Sequence, residues 1–299
     1  MVNSRPVKAH KLGRLERQNI GYAFIAPSVI LYAIFVFIPV FTTIGLSFTD
    51  YNLKNSTFVG FANYINLWRD AIFVKALWNT VRYTLMALVP TMVLGLTLAM
   101  LINKKFRGRA LFRAIFYMPN IVSMVAASLA WMYLYSEVGI FNMTLKAIGL
   151  SKVNWLTNSR ISLMSIVLVT LWSSGGYNML LFLAGLQGIP THLYEAASID
   201  GATSVQQFFR ITLPQLAPTT FFVFVMTCIA SFQVFGQVYM MTGGGPDNAT
   251  TTLAHQVYTN AFQYYKMGYA SAMAVVLLLI IMAITAINFR FGNTEGGEL

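Results

Sequence analysis

The 299-residue chain is 57% hydrophobic and 10% charged, where a soluble domain of this length carries about a quarter charged residues, so an ordinary water-soluble fold is excluded. Its eleven excess positive charges sit in short runs between apolar segments without any RNA- or DNA-binding motif, which argues against nucleic acid as a partner. One cysteine, Cys228, and three scattered histidines, His10, His192 and His255, provide neither a disulfide framework nor a thiolate metal site.

Residues 1–20 carry Arg5, Lys8, Lys11, Arg14 and Arg17 and read as a basic cytoplasmic arm, with a short helix along the headgroups as the alternative. The apolar run Gly21–Phe48 is too long for a signal-peptide core and reads as a retained signal-anchor helix. Further windows of crossing length lie at Ala76–Ile102, Leu111–Tyr135, Ile161–Leu186, Ala217–Met241 and Gly268–Phe289. The expectation is an all-α, polytopic membrane bundle of about six helices over residues 21–290, with a short tail at 291–299.

Thr49–Lys75, with Asp50, Asn52, Asn55 and Asn63 among aromatics, reads as a folded external loop. The second span contains Pro90 and the pair Gly95 and Ala99, spaced for close helix packing. Lys104, Lys105, Arg107, Arg109 and Arg113 then crowd the link to the third span, as expected of a cytoplasmic segment. Pro119, in the run Phe116–Asn120, can fix a bend whose freed carbonyls neighbouring helices must satisfy. Trp131, Tyr133 and Tyr135 look like an aromatic belt at the outer interface.

The fourth span carries Trp172, Ser173, Ser174, Gly175, Gly176, Tyr177 and Asn178, and the two glycines weaken the helix there. Polar groups at membrane depth face protein or a wet cavity, and a wet cavity with aromatic faces suits a sugar. Interhelical hydrogen bonding is the other reading. In the fifth span, Gln233 and Gln237 are four apart and share a helix face. Paired amides there suit a neutral polyol or, equally, helix–helix adhesion. Gly243, Gly244, Gly245 and Pro246 form an external turn, because no Gly-Lys-Ser/Thr follows to make a phosphate loop.

The loop at 190–218 is amphipathic and differs from every span. Thr191 can cap a first helix, and Glu195 lies near its positive end. Ala196 and Ala197 keep the surface thin, and Asp200 precedes Gly201, which can end the helix in the left-handed conformation. Thr203 or Ser204 can cap a second helix bearing Phe208 and Phe209, and Pro214 and Pro218 turn the chain into the fifth span. With a basic cytoplasmic N-terminus, alternation puts this loop, and the C-terminus, on the cytoplasmic side.

Glu195-Ala196-Ala197, Gly201, Ile211 and Leu213-Pro214, at these spacings, resemble the EAA loop of binding-protein-dependent ATP-binding cassette (ABC) importer permeases. From about Ala76 onward the chain is similar to the carbohydrate-uptake, maltose F-like group, through Gly243–Pro246, Ala261-Phe262 and Gly268–Ala272. It lacks the two extra N-terminal spans and large external domain of the maltose F subunit itself. The resemblance implies a type I importer permease fold with a cytoplasmic coupling helix in a bacterial inner membrane.

It further implies a second homologous permease subunit, two cytoplasmic ATP-binding subunits that hold ATP and Mg, and an extracytoplasmic solute-binding protein. This chain would itself bind no cofactor or metal and catalyse no reaction. Glu195, Ala196, Ala197, Asp200, Gly201, Leu213 and Pro214 would couple to the ATPase, and Trp172, Tyr177, Asn178, Gln233 and Gln237 would line the sugar pathway. An anionic solute, glycerol phosphate or a uronate oligosaccharide, is the alternative, for which Lys75 and Arg82 are the only hints. The chain carries no zinc-protease motif, nucleophile elbow or intramembrane carboxylate pair, which speaks against an enzyme or a proton-coupled carrier.

Overall fold

The computed structural model describes residues 14–292. The secondary structure of these residues is helical apart from connecting loops, and the only strand-like pairing among them is an isolated bridge between Thr49 and Phe58. The chain opens with α1 (Arg14–Tyr32), a π-helical turn at Ala33–Phe37 and α2 (Ile38–Leu46). After the short α3 (Ala62–Arg69) comes α4 (Ala71–Asn103), capped by Asp70, whose carboxylate accepts from the backbone N–H groups of Ile72 and Phe73. Then follow α5 (Arg109–Ile121), α6 (Met124–Tyr135), α7 (Ile140–Ala147) and α8 (Ser162–Gly188). The hairpin consists of α9 (Thr191–Ile199), α10 (Ser204–Gln207), a π-helical turn at Phe208–Thr212 and α11 (Leu213–Gln215). The chain closes with α12 (Ala217–Phe232), α13 (Gly236–Met241), α14 (Leu253–Tyr258), a third π-helical turn at Thr259–Gln263 and α15 (Met267–Gly292).

Six helical stretches are long and apolar enough to cross a membrane: Phe24–Leu46, Ala71–Asn103, Met124–Ala147, Ser162–Gly188, Ala217–Met241 and Met267–Arg290. Five agree with the sequence windows. The third differs, because the chain does not run as one helix from Leu111 to Tyr135. It breaks at Val122, which is extended, and Ser123, which is also non-helical, just beyond Pro119. Most of the basic arm lies outside the described residues, and residues 14–20 already belong to α1. The tail beyond Gly292 also lies outside them.

Helices α4 and α8 form the central pair of the bundle. In a bilayer the lipid is as apolar as leucine, so helices associate through close packing rather than through burial from water. Small residues supply that closeness here. A Cβ added at Gly95 on α4 would lie 2.6 Å from the Asn178 Cβ on α8. One added at Gly176 would lie 1.8 Å from the Phe116 carbonyl oxygen on α5. The paired glycines of α8 therefore do not break a helix that runs on through them: Gly176 lets α5 lie against it, and Gly175 makes room for the Leu94 side chain of α4. Around this contact Ala99, Ile102, Met179, Phe182, Leu183, Leu216 and Val223 form the largest buried cluster, with Leu193 and Tyr194 of α9 packed onto it. By contrast, the first span is almost unburied, with Phe24, Phe35 and Phe41 exposed, and only α2 rests on α15.

Gly176→Ala should destabilise the purified protein by about 1–3 kcal/mol through overpacking of α5 against α8. Gly188→Ala, at the end of α8 with open space around it, should not. Thermal unfolding in detergent followed by tryptophan emission compares the two; equal midpoints would show that the α5–α8 contact is not close.

Candidate functional site

A cavity of about 450 Å³ lies between α4, α5, α8, α12 and α13. Its polar lining comes from Tyr83 and Thr91 of α4, Asn120 of α5, Thr170, Ser174, Tyr177 and Asn178 of α8, Thr227 and Ser231 of α12, and Gln233 and Gln237. None of these side chains is charged at neutral pH. Hydroxyls and amides both donate and accept, so the wall presents hydrogen-bonding groups of either sense without a net field. Two contacts hold the wall in shape. The Tyr83 and Thr170 hydroxyls hydrogen-bond across α4 and α8, and the Asn178 Nδ2 donates to Thr227 Oγ1 at 3.1 Å across α8 and α12. Thr91 Oγ1 is buried at the cavity wall with no hydrogen-bond partner among the described residues.

Tyr177, Asn178, Gln233 and Gln237 thus meet in one cavity. Trp172 does not join them. Its ring meets Trp131 edge-on at a centroid distance of 5.7 Å, and Trp131 belongs to an aromatic cluster with Tyr135 and Phe141. Gln233 and Gln237 do not share a helix face, because α12 ends at Phe232 and α13 begins at Gly236. They converge because the break between the two helices turns the chain at the cavity. Asn178 combines both of its sequence readings, interhelical bond and cavity lining, in one side chain. Tyr83 and Thr91 were not anticipated from sequence. The polar stripe Thr80, Tyr83, Thr84, Thr91 along an otherwise apolar span was the available signal.

At the other end of α8, the hairpin is braced from within. The Tyr194 and Thr212 hydroxyls are 2.9 Å apart, and Gln207 Nε2 donates to Ser198 Oγ at 2.9 Å. Thr203 and Gln206 form a reciprocal capping box at the start of α10. Gly201 has φ +78°, the left-handed conformation expected of it, and ends α9. Thr191 is not the cap: Pro190 occupies that position, and its side chain offers no acceptor. Glu195, Ala196, Asp200, Gly201, Leu213 and Pro214 are exposed and Ala197 is partly so. Ile199 projects beside them at 87% exposure, and Val205 and Phe209 of the hairpin are exposed as well. Ala197, Asp200, Gln206 and Arg210 border a notch of about 330 Å³ between the two arms.

On the opposite end, the glycine turn is fastened to α4. Lys75 Nζ donates to the Asp247 carbonyl, and Asn79 Nδ2 donates to the carbonyls of Asn248 and Thr251 at 2.9 and 3.0 Å. Beneath it His255 is buried, with Nδ1 3.1 Å from Thr251 Oγ1, and burial lowers its pKa. Among the described residues, no three His, Cys, Asp or Glu side chains gather as metal ligands would.

The family described as binding-protein-dependent transport system inner membrane components matches residues 91–292. The chain belongs to that family. Among its relatives, the probable ABC transporter permease protein YurN of Bacillus subtilis (strain 168) is 37% identical over 290 residues, covering 95% of this chain and 99% of the relative. The arabinooligosaccharides transport system permease protein AraP of the same strain is 34% identical over 281 residues, 93% of this chain and 90% of AraP. A solved bacterial ABC transporter involved in the import of the acidic polysaccharide alginate contains a chain with a TM-score of 0.82 and 25% identity, covering 94% of this chain and 97% of that one. The chain is a multi-pass membrane protein with the permease fold of ABC importers.

For the glycine turn the pH dependence follows from His255. Its folded-state pKa lies below the ordinary 6.5, so on acidification the unfolded turn binds the proton first. The stability that depends on neutral His255 is full above about pH 6.5 and is lost as pH falls below it. Amide exchange over residues 243–256 should therefore quicken between pH 7 and pH 5.5, after correction for intrinsic rates. His255→Gln should flatten that change; an unchanged profile would exclude His255 as its cause.

Proposed function

We propose that the chain is the permease subunit of an ATP-driven, binding-protein-dependent importer for a neutral sugar or oligosaccharide, and that the central cavity is its binding site midway across the membrane. The carrying observation is the cavity wall of hydroxyls, amides and two tyrosines without a charge. Sugar hydroxyls need paired donors and acceptors, and tyrosine rings offer faces for sugar C–H groups. A volume of about 450 Å³ falls in the roughly 300–1,000 Å³ range of small-molecule sites. AraP is named for arabinooligosaccharides and the solved transporter for acidic alginate, so the relatives' names point both ways. An anionic cargo is disfavoured because Arg82 does not line the cavity and Lys75 is bound to the glycine turn.

In this reading the chain works with a second homologous permease, two cytoplasmic ATP-binding subunits that hold ATP and Mg, and an extracytoplasmic solute-binding protein, in a bacterial inner membrane with both termini cytoplasmic. Hydrolysis belongs to the ATP-binding subunits. The exposed face around Glu195, Ala196, Ala197, Asp200 and Gly201, with Leu213 and Pro214, docks on them, and Ile199 is the apolar tip that enters their surface. Because Tyr194 and Leu193 pack on the core around α4, α8 and α12, a displacement of the hairpin reaches the cavity wall. ATP shifts the cavity between outward and inward openings only if the hairpin binds the two ATPase states with different free energy.

The test is ATPase and uptake in lipid vesicles, with partner subunits and loaded binding protein. Gln237→Ala should raise the half-saturating sugar concentration about three- to ten-fold by removing one neutral hydrogen bond, whereas Trp172→Phe should leave it unchanged. Gly201→Asp should abolish stimulation by the loaded binding protein while basal hydrolysis persists. Stimulation that survives Gly201→Asp would remove the hairpin from coupling; a Gln237→Ala variant with wild-type affinity would move the sugar elsewhere.

A further inference from the structure

The link between α4 and α5 carries a positive charge that no ion pair among the described residues answers. Lys104, Lys105 and Arg107 are exposed directly beyond the end of α4. No acidic residue occurs in the sequence between Asp70 and Glu137, and the one ion pair among the described residues, Lys152 with Glu137, belongs to another loop. On α5, Arg113 has its Nε buried without a hydrogen-bond partner among the described residues.

Apolar groups are set among these cations. Phe106 lies between Lys105 and Arg107, is 43% exposed and meets Phe112 edge-on at 5.8 Å. Leu111, Phe112 and Ile115 are exposed along α5. Positive side chains beside exposed aromatic and aliphatic ones, at the end of a membrane span, match an anionic headgroup above an acyl chain. A signal that only fixes the topology would require the charge but not the exposed aromatic residues.

We infer that Lys104, Lys105 and Arg107, with Phe106 and Phe112 beneath them, bind an anionic phospholipid of the cytoplasmic leaflet beside the coupling hairpin. Lys104 borders a cleft of about 310 Å³ shared with Tyr194, Ser204, Gln207 and Phe208 of the hairpin. A lipid phosphate held by Lys104 therefore sits against the element that transmits movement, and membrane charge becomes an input to coupling. The inference rests on the cytoplasmic orientation proposed above.

The experiment uses the full chain in mixed micelles of phosphatidylglycerol and phosphatidylcholine, with lipid retention read by native mass spectrometry. The wild type should retain phosphatidylglycerol preferentially. K104Q/K105Q/R107Q should weaken that retention by about five-fold per cation removed. K54Q/K146Q/K266Q, which removes three exposed cations elsewhere, should leave it intact. An unchanged preference in the first triple variant overturns the inference. So does equal displacement of the lipid by millimolar glycerol phosphate, which would mark a site for a soluble anion. So does a wild type without preference for phosphatidylglycerol. Thiol labelling of Lys105→Cys in a Cys228→Ala background tests orientation separately. Labelling from outside would overturn the topology, and labelling from inside with no lipid preference would overturn the lipid site alone.

Discussion

The contact of α4 with α8 governs the rest of the molecule. Apolar side chains gain little by meeting each other instead of lipid, so the pair depends on how closely their backbones approach. Gly95 brings the α4 backbone against Asn178, and Gly176 brings α5 against the opposite flank of α8. The same residue that α4 presses upon, Asn178, extends its amide to Thr227 of α12. One asparagine thus fixes three helices and forms part of the cavity they enclose.

Enclosing polar groups at that depth also requires interrupted helices. Continuous helices satisfy their own backbone and leave only side chains to face a solute; broken ones free carbonyls and N–H groups that must meet protein or water. The breaks at Val122–Ser123 and at Gln233–Phe235 both fall beside the cavity, where Asn120, Gln233 and Gln237 line the wall. Irregular backbone is tolerated there because it borders a polar cavity rather than lipid.

The hairpin makes a contrast with the mobile loop that sequence composition alone would allow. A capping box, two cross-arm hydrogen bonds and a left-handed glycine hold it as a preformed body, and Leu193 and Tyr194 anchor it to the core. A preformed body transmits force without first paying the entropy of ordering. Its exposed tip at Ile199 stands next to the only acidic groups of the loop, Glu195 and Asp200.

By itself the sequence determined the membrane class, five of six spans and the hairpin with its Gly201 turn. Those features depend on local chemistry: long apolar runs, caps, prolines and a residue that alone tolerates positive φ. It also marked Tyr177, Asn178, Gln233 and Gln237, because uncharged polar groups are conspicuous against an apolar span. The tertiary structure alone decided that Trp172 turns to Trp131 while Tyr83 and Thr91 turn to the cavity. It also decided that the third span divides and that the paired glycines of α8 tighten the bundle. A helix sequence specifies which residues share a face, but which face meets a cavity, a neighbour or lipid depends on helices far away in the chain. A break three residues long, as at Gln233–Phe235, rotates every later side chain, so periodicity counted across it assigns the wrong neighbours.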